Sequence, residues 1–169
     1  MNSFKSTKFG SKPVKPAEKV EDVTNYGLWH LGRRDHSKHE LKIKLGRKTD
    51  NDEWIEEAIE QLDKSGFLDD QRFVDNFLRE YNQFKKFGPT RIKQEFRIKG
   101  IDNELVRSTM EQSEFDYFES ALEYMNNKYS YPIEDRKEKD KITRFLLTRG
   151  FTFDMIKYAF ADHLKENDE

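Results

Sequence analysis

The side chains best placed to do chemistry are cations. Residues 84–101 read FKKFGPTRIKQEFRIKGI, with Lys85 and Lys86 ahead of a Gly-Pro break and Arg91, Lys93, Arg97 and Lys99 behind it. Arginine and lysine at helical spacing hold carboxylates or phosphates through charge-assisted hydrogen bonds, so the chemistry they offer is binding. Groups that would supply catalysis are sparse. The sequence contains no G-x-x-x-x-G-K-[ST] phosphate loop and no H-E-x-x-H zinc motif, and the DNDE stretch at 50–53 lacks the glycine and distal glutamate of a calcium loop. His36, His39 and Glu40 come nearest to a metal cluster, but they fall in the first turn of a capped helix, where the residue types have another use. The expectation is a protein with no catalytic residues, no metal and no cofactor.

Composition narrows the class. The 169 residues suit one ordinary domain or several small stacked units. There is no cysteine, which excludes disulfides and thiolate metal sites and points to a reducing compartment. Nothing resembles the apolar core of a signal peptide or a membrane span, so a soluble, cytoplasmic chain with no membrane partner is expected. Lysine and arginine number 31 against 33 acidic residues, a balance that alone does not suggest nucleic acid. The distribution says more. Residues 26–49 carry a net charge of +5, 50–70 carry -8, 71–100 return to +5, 101–123 fall to -6, and 124–150 rise to +3. Sign alternates in blocks, so local fields persist although the total nearly cancels.

The elements that must position these cations are helices. Residues 1–24 are rich in Lys, Ser and Pro with little apolar periodicity, which predicts a disordered basic arm. Beyond it the apolar spacing is helical nearly everywhere, with one long interior break at 129–139 marked by Pro132. A repeat runs through the helices. Leu41, Leu45, Ile55 and Ile59 recur 51 residues on as Ile92, Phe96, Val106 and Met110, and 50 further on as Ile142, Leu146, Ile156 and Phe160. Lys48, Lys99 and Arg149 follow the same offsets, as do Gly100 and Gly150. The predicted fold is all-α: three tandem three-helix repeats at 25–66, 67–112 and 113–165, stacked into an elongated, curved molecule.

Local chemistry supports the boundaries. Ser37 and Glu40 predict a capping box, Gly88 and Pro89 a helix start, and Asp69 an N-cap with Leu68 and Phe73 as a hydrophobic staple. Ser113 and Thr152 are expected caps. Gly66, Gly100 and Gly150, each followed by an apolar residue, predict left-handed helix ends in which that residue packs back. In the middle repeat the helices are expected at 69–87, 89–99 and 103–112. Phe73, Phe77, Tyr81 and Phe84 share one helical face, which favours core over a base-stacking platform. On the helix at 89–99, Ile92 and Phe96 define the buried stripe; Lys93 and Arg97 lie on one flank and Arg91 on the other. Lys42 occupies the place of Lys93 one repeat earlier.

Four stretches in order, HLGRRDHSKHELKIKL, GFLDDQRFVDNFL, GPTRIKQEFRIKGI and KITRFLLTRGF, resemble the RecX family of bacterial recombination regulators across about residues 26–164. The resemblance implies a non-enzymatic modulator that lies in the groove of the RecA–DNA filament and inhibits RecA ATPase, strand exchange and co-protease activity. It also implies that direct binding to single- or double-stranded DNA is open to the chain, which is expected to act as a monomer. The family has no catalytic residues to carry over. Its basic helix faces correspond here to Arg33, Arg34, Lys42, Lys44, Lys85, Lys86, Arg91, Lys93, Arg97 and Lys99, with Arg144 and Arg149 in the third repeat. Departures are Gly27 and Gly32, expected to loosen the first helix by roughly 1 kcal/mol each if helical, and Phe96, which should fill more core. The first repeat's junction LGRKTDNDE lacks the Gly–apolar pair of the others. Two readings compete with filament binding: a DNA binder built from helix-turn-helix-like basic units, and a scaffold whose cations serve solubility alone.

Overall fold

Most helices here begin where a side-chain oxygen accepts a first-turn amide, and three end near a glycine that turns the chain left-handed. The computed structural model describes residues 14–163, apart from the side chains of Phe84 and Lys85. Nine α-helices and no strand occur among the described residues. The chain divides into two compact units, Met1–Leu68 and Asp69–Glu169.

The first unit holds α1 (Val20–Leu31), α2 (Lys38–Leu45) and α3 (Asp52–Lys64). The expected capping box opens α2: Ser37 Oγ accepts from the Glu40 amide at 3.0 Å, and the Glu40 carboxylate accepts from the Ser37 amide at 3.4 Å. The junction to α3, which lacks a Gly–apolar pair, is built by polar side chains. Thr49 Oγ accepts from the Asn51 amide, and Asn51 Oδ1 from the Trp54 amide. Val23, Leu41, Leu45, Ile55, Ala58, Ile59, Leu62 and Leu68 form the core.

Two expectations fail in this unit. The basic arm does not run to residue 24, because α1 starts at Val20 and Val23 is wholly buried. The approach to it is tied down as well: the Ala17 amide donates to the Lys48 carbonyl at 2.9 Å, and Lys48 Nζ to the Lys15 carbonyl at 2.6 Å. A Lys/Ser/Pro composition disfavours order only where the chain buries nothing; residues 1–13 fall outside the described range. Nor does Gly27 merely loosen α1. It is buried, and a Cβ there would stand 2.7 Å from Leu62 Cδ1, so its missing side chain lets α1 lie close against α3. Gly32 follows the last residue of α1 and costs the helix nothing.

The second unit contains two three-helix bundles, α4 (Asp70–Glu80), α5 (Pro89–Ile98) and α6 (Asn103–Gln112), then α7 (Tyr117–Lys128), α8 (Arg136–Thr148) and α9 (Phe153–Asp162). Phe73, Val74, Phe77, Tyr81, Ile92, Phe96 and Val106 are central to one core; Met125, Ile142, Leu146, Phe151 and Ile156 are central to the other. The aromatic stripe of α4 is therefore interior, with Phe77 stacked on Tyr81 at 3.9 Å and tilted against Phe96 at 4.6 Å. Asp69 caps α4 and Thr152 caps α9, as expected.

Again some junctions differ. α4 does not continue to Phe87 but widens into a π-helical turn at Tyr81–Lys85, after which Lys86 takes a left-handed conformation with φ 49°. Ser113 does not start a helix: it ends α6, its hydroxyl accepting from the Phe115 amide, while Asp116 caps α7 through the Phe118 and Glu119 amides. Gly66, Gly100 and Gly150 all adopt positive φ. Ile101 and Phe151 pack back as expected, but after Gly66 it is Leu68 that is buried, bonding to the Leu62 carbonyl, while Phe67 stays 56% exposed. Leu68 thus closes the first core instead of stapling α4.

The two bundles of the second unit meet where α5 begins and α8 ends. The Gly88 amide donates to the Arg149 carbonyl at 2.9 Å and the Thr90 amide to the Gly150 carbonyl at 3.1 Å. A helix start has unsatisfied amides and a helix end has unsatisfied carbonyls, so each supplies what the other lacks. The approach leaves no room for side chains: a Cβ on Gly88 would lie 2.3 Å from Gly150 backbone atoms, and one on Gly150 2.3 Å from the Arg91 nitrogen. Arg149 secures the contact, donating to the Lys86 carbonyl at 3.3–3.4 Å with its guanidinium over Phe87 and Tyr124 at 4.6 and 4.9 Å.

Gly66 and Gly150 differ in surroundings, not in φ sign, because nothing lies within 4 Å of a Cβ at Gly66. Gly66→Ala should therefore cost about 1 kcal/mol, the left-handed strain alone, and Gly150→Ala about 3 kcal/mol or more. Urea unfolding of both variants checks this, and equal losses would refute the close backbone contact. Arg149→Met, which keeps an aliphatic stem, should lose about 2 kcal/mol as the charged hydrogen bond to Lys86 disappears; an unchanged urea midpoint would show that the guanidinium holds nothing.

Candidate functional site

The twelve cations singled out from sequence separate into those spent inside the fold and those left at its surface. α5 shows the division within one helix. Ile92 and Phe96 are fully buried, and Lys93 and Arg97, four residues apart on one flank of that stripe, are exposed. Neither makes an ion pair or hydrogen bond among the described residues. Arg91, on the other flank, pairs with Glu95 at 2.6 Å and lies 5.9 Å from the Phe87 ring. Lys99 sits over Phe73 and Phe77 at 5.6 and 5.4 Å.

Arg149 is not a free surface cation either. It is half-buried in the bundle junction, and together with Arg91 it brackets Phe87. Lys86 pairs with Glu123, and the Lys85 side chain is outside the described set. Arg144 is exposed, with its Nε donating to the Asp140 carbonyl one turn back at 3.2 Å.

In the first unit Lys42 is neutralised by α3, its Nζ lying 2.7 Å from both oxygens of Glu56. Lys93 holds the corresponding place one repeat later and has no such partner, because the residue 51 positions after Glu56 is Arg107. Arg107 pairs instead with Glu104 within α6. The net charges of -8 over residues 50–70 and -6 over 101–123 would let the acidic third helix of the first two repeats offset the basic second one. That holds for Lys42 and fails for Lys93 and Arg97. The position-by-position offset carried this information; the block sum erased it.

Arg33, Arg34 and Lys44 are brought together. With Trp29, His30 and His36 they line a concavity of about 430 Å³. Arg34 pairs with Glu40 at 3.2 Å, Arg33 lies 4.9 Å over the Trp29 ring, and Lys44 is half-buried with no acidic partner among the described residues. Trp29 and His30 were not anticipated. Their signal was the Tyr26, Trp29, His30, Arg33 spacing of three and four, which places flat groups and a cation on one helix flank.

Histidines and carboxylates do not assemble into a metal centre among the described residues. His36 is buried and donates Nδ1–H to the Arg34 carbonyl at 2.9 Å, while His39 is exposed on the capped first turn of α2. No helix among the described residues is long and apolar enough to cross a membrane.

The chain matches known proteins over most of its length. Residues 69–110 match the RecX second three-helix domain and residues 115–160 the RecX third three-helix domain. A regulatory protein RecX from Photobacterium profundum is 40% identical, with 98% of this chain and 99% of that protein covered. One from Actinobacillus pleuropneumoniae serotype 5b is 38% identical over 134 residues, covering 79% of this chain and 87% of that protein. The crystal structure of RecX from Lactobacillus salivarius has the same fold, with a TM-score of 0.72 at 24% identity over 85% of this chain and 95% of that one. The two matched repeats, the near full-length relatives and the shared helical architecture place this chain in the RecX family of regulatory proteins.

Proposed function

We propose that this chain regulates RecA by lying in the groove of the RecA–DNA filament, where it inhibits ATP turnover, strand exchange and co-protease activity without chemistry of its own. The observation that carries the reading is the outer face of α5. Lys93 and Arg97 are exposed, one turn apart on a rigid helix, and not neutralised by the protein that carries them. Two cations held in this way are available to a partner at no cost of breaking an internal pair. Arg33, Lys44 and Arg144 add charge at the surface of the other bundles, so a long, repetitive polyanionic or mixed-charge partner can engage several of them at once. A nucleoprotein filament has that character. A chain occupying its groove resists the subunit rearrangement that ATP turnover and strand exchange require. The chain acts in the cytoplasm, as a monomer and with no cofactor.

The same cations would serve a protein that binds bare DNA, and salt separates the two. Phosphate-driven binding to naked DNA falls steeply with salt, whereas a filament binder retains its preference for RecA-coated DNA. The double variant Lys93→Glu/Arg97→Glu should leave circular dichroism unchanged and the melting free energy within about 0.5 kcal/mol, since these are surface positions. It should weaken inhibition of the DNA-stimulated RecA ATPase by about tenfold or more. Undiminished inhibition by that variant would remove α5 from the interface. Inhibition by the parent protein that vanishes when naked DNA is added would replace filament binding with competition for DNA.

A further inference from the structure

The concavity of the first unit is built differently from the face of α5. Trp29 is 53% exposed although its helix has a core to face. Its ring continues a row along α1, parallel to Tyr26 at 6.0 Å and covered by the Arg33 guanidinium at 4.9 Å. Flat rings alternating with cations are what nucleobases stack against. The cup also contains groups in want of an anion. Lys44 reaches it half-buried and without an acidic partner among the described residues. His30 lines the cup as well, and its ring nitrogen Nε2 is buried with no hydrogen-bond partner among the described residues. Its ring is fixed edge-on by Tyr26, Trp29 and His36 at 4.7, 4.8 and 5.7 Å. A buried polar atom left unpaired costs free energy that a ligand atom can recover.

We propose that this cup binds a nucleotide, with the phosphate held by Arg33, Lys44 and His30 and the base laid against Trp29. The site does not depend on the filament reading, since a chain indifferent to RecA filaments would still carry it. Charge around the imidazole is one-sided. Arg33, Arg34 and His36 come from the loop after α1, Lys44 from α2 and Arg47 from just beyond it; the acid acting on neighbouring His36 is Glu40, which is engaged by Arg34. Burial first, and then Lys44, His36, Arg47 and Arg33, hold the His30 pKa at about 4, so the ring is neutral at neutral pH. A bound phosphate opposes those cations and raises that pKa. The ring then takes up a proton as the ligand arrives, and binding tightens as pH falls from neutral toward the raised pKa.

The test uses the full chain with Trp54→Phe, which leaves Trp29 as the one indole of the two in the sequence. Its fluorescence is followed on titration with deoxyadenosine monophosphate, with a short oligodeoxyadenylate and with inorganic phosphate. We expect saturable quenching by at least one nucleotide probe, weakened about tenfold by Lys44→Met and by Arg33→Gln, both checked for folding by circular dichroism. If the oligomer binds more tightly than the monomer the occupant is a unit of a strand; if not, it is a free nucleotide. The oligomer's internal diesters do not titrate near neutrality, so its tighter binding at about pH 5.5 than at about pH 7.5 isolates His30, and His30→Gln should flatten that difference. Absence of saturable quenching by both nucleotide probes, or quenching indifferent to Lys44→Met and Arg33→Gln, would overturn the site. Inorganic phosphate displacing the nucleotide at equal concentration would reduce it to a bare anion cup and overturn the base contact.

Discussion

Everything in this molecule rests on burying two apolar side chains one turn apart on the middle helix of each three-helix bundle. Leu41 and Leu45, Ile92 and Phe96, and Ile142 and Leu146 are all fully buried in their cores, none more than 2% exposed. The helices that enclose them are 8 to 13 residues long, below the length at which a helix is stable alone in water. Each helix therefore needs the others, and each needs its ends satisfied locally. Ser37, Asn51, Asp69, Asp102, Asp116, Asp135 and Thr152 accept first-turn amides for that reason. With the core confined to one narrow stripe, the outer side of a middle helix is free to vary. That freedom is what lets α5 display unneutralised cations without loss of packing.

The same constraint decides which charges are useful. A cation beside the stripe is drawn onto aromatic surface or into an ion pair, as Lys99 and Arg91 are. Lys93 and Arg97, on the other flank, find no such partner among the described residues, although Lys42 in the place of Lys93 one repeat earlier finds Glu56. Arg149 shows how far the first outcome can go: its guanidinium spans a carbonyl and two rings and has become part of the framework.

Much of this was legible in the sequence because the signals were local or periodic. The 50- and 51-residue offsets located the core positions, the capping box at Ser37 and Glu40 located α2, and glycine followed by an apolar residue located all three left-handed helix ends, though the residue that packs back was right at only two of them. What escaped depended on partners distant in sequence. Gly27 reads as a weak helix former until Leu62 is seen beside it. Arg149 reads as a surface cation until Lys86 offers its carbonyl. Ser113 and Asp116 are both plausible caps three residues apart, and the choice between them is made by where Tyr117 packs, against the core of the preceding bundle. Of the candidate binding residues, the exposed placement of Lys93 and Arg97 was legible from their place on the helix wheel. Trp29 and His30 were passed over because an aromatic residue in an amphipathic helix is ordinarily core.

The seam between α5 and α8 has one more consequence. Amides at the start of a helix usually face water and exchange their hydrogens almost at once. Those of Gly88 and Thr90 are instead bonded to carbonyls of a different bundle, so solvent reaches them only when the two bundles part. Their exchange rates record that separation directly, apart from the fraying of α5 and from the melting of either core. Two backbone hydrogens thus serve as a built-in gauge of how firmly the second and third repeats move as one body.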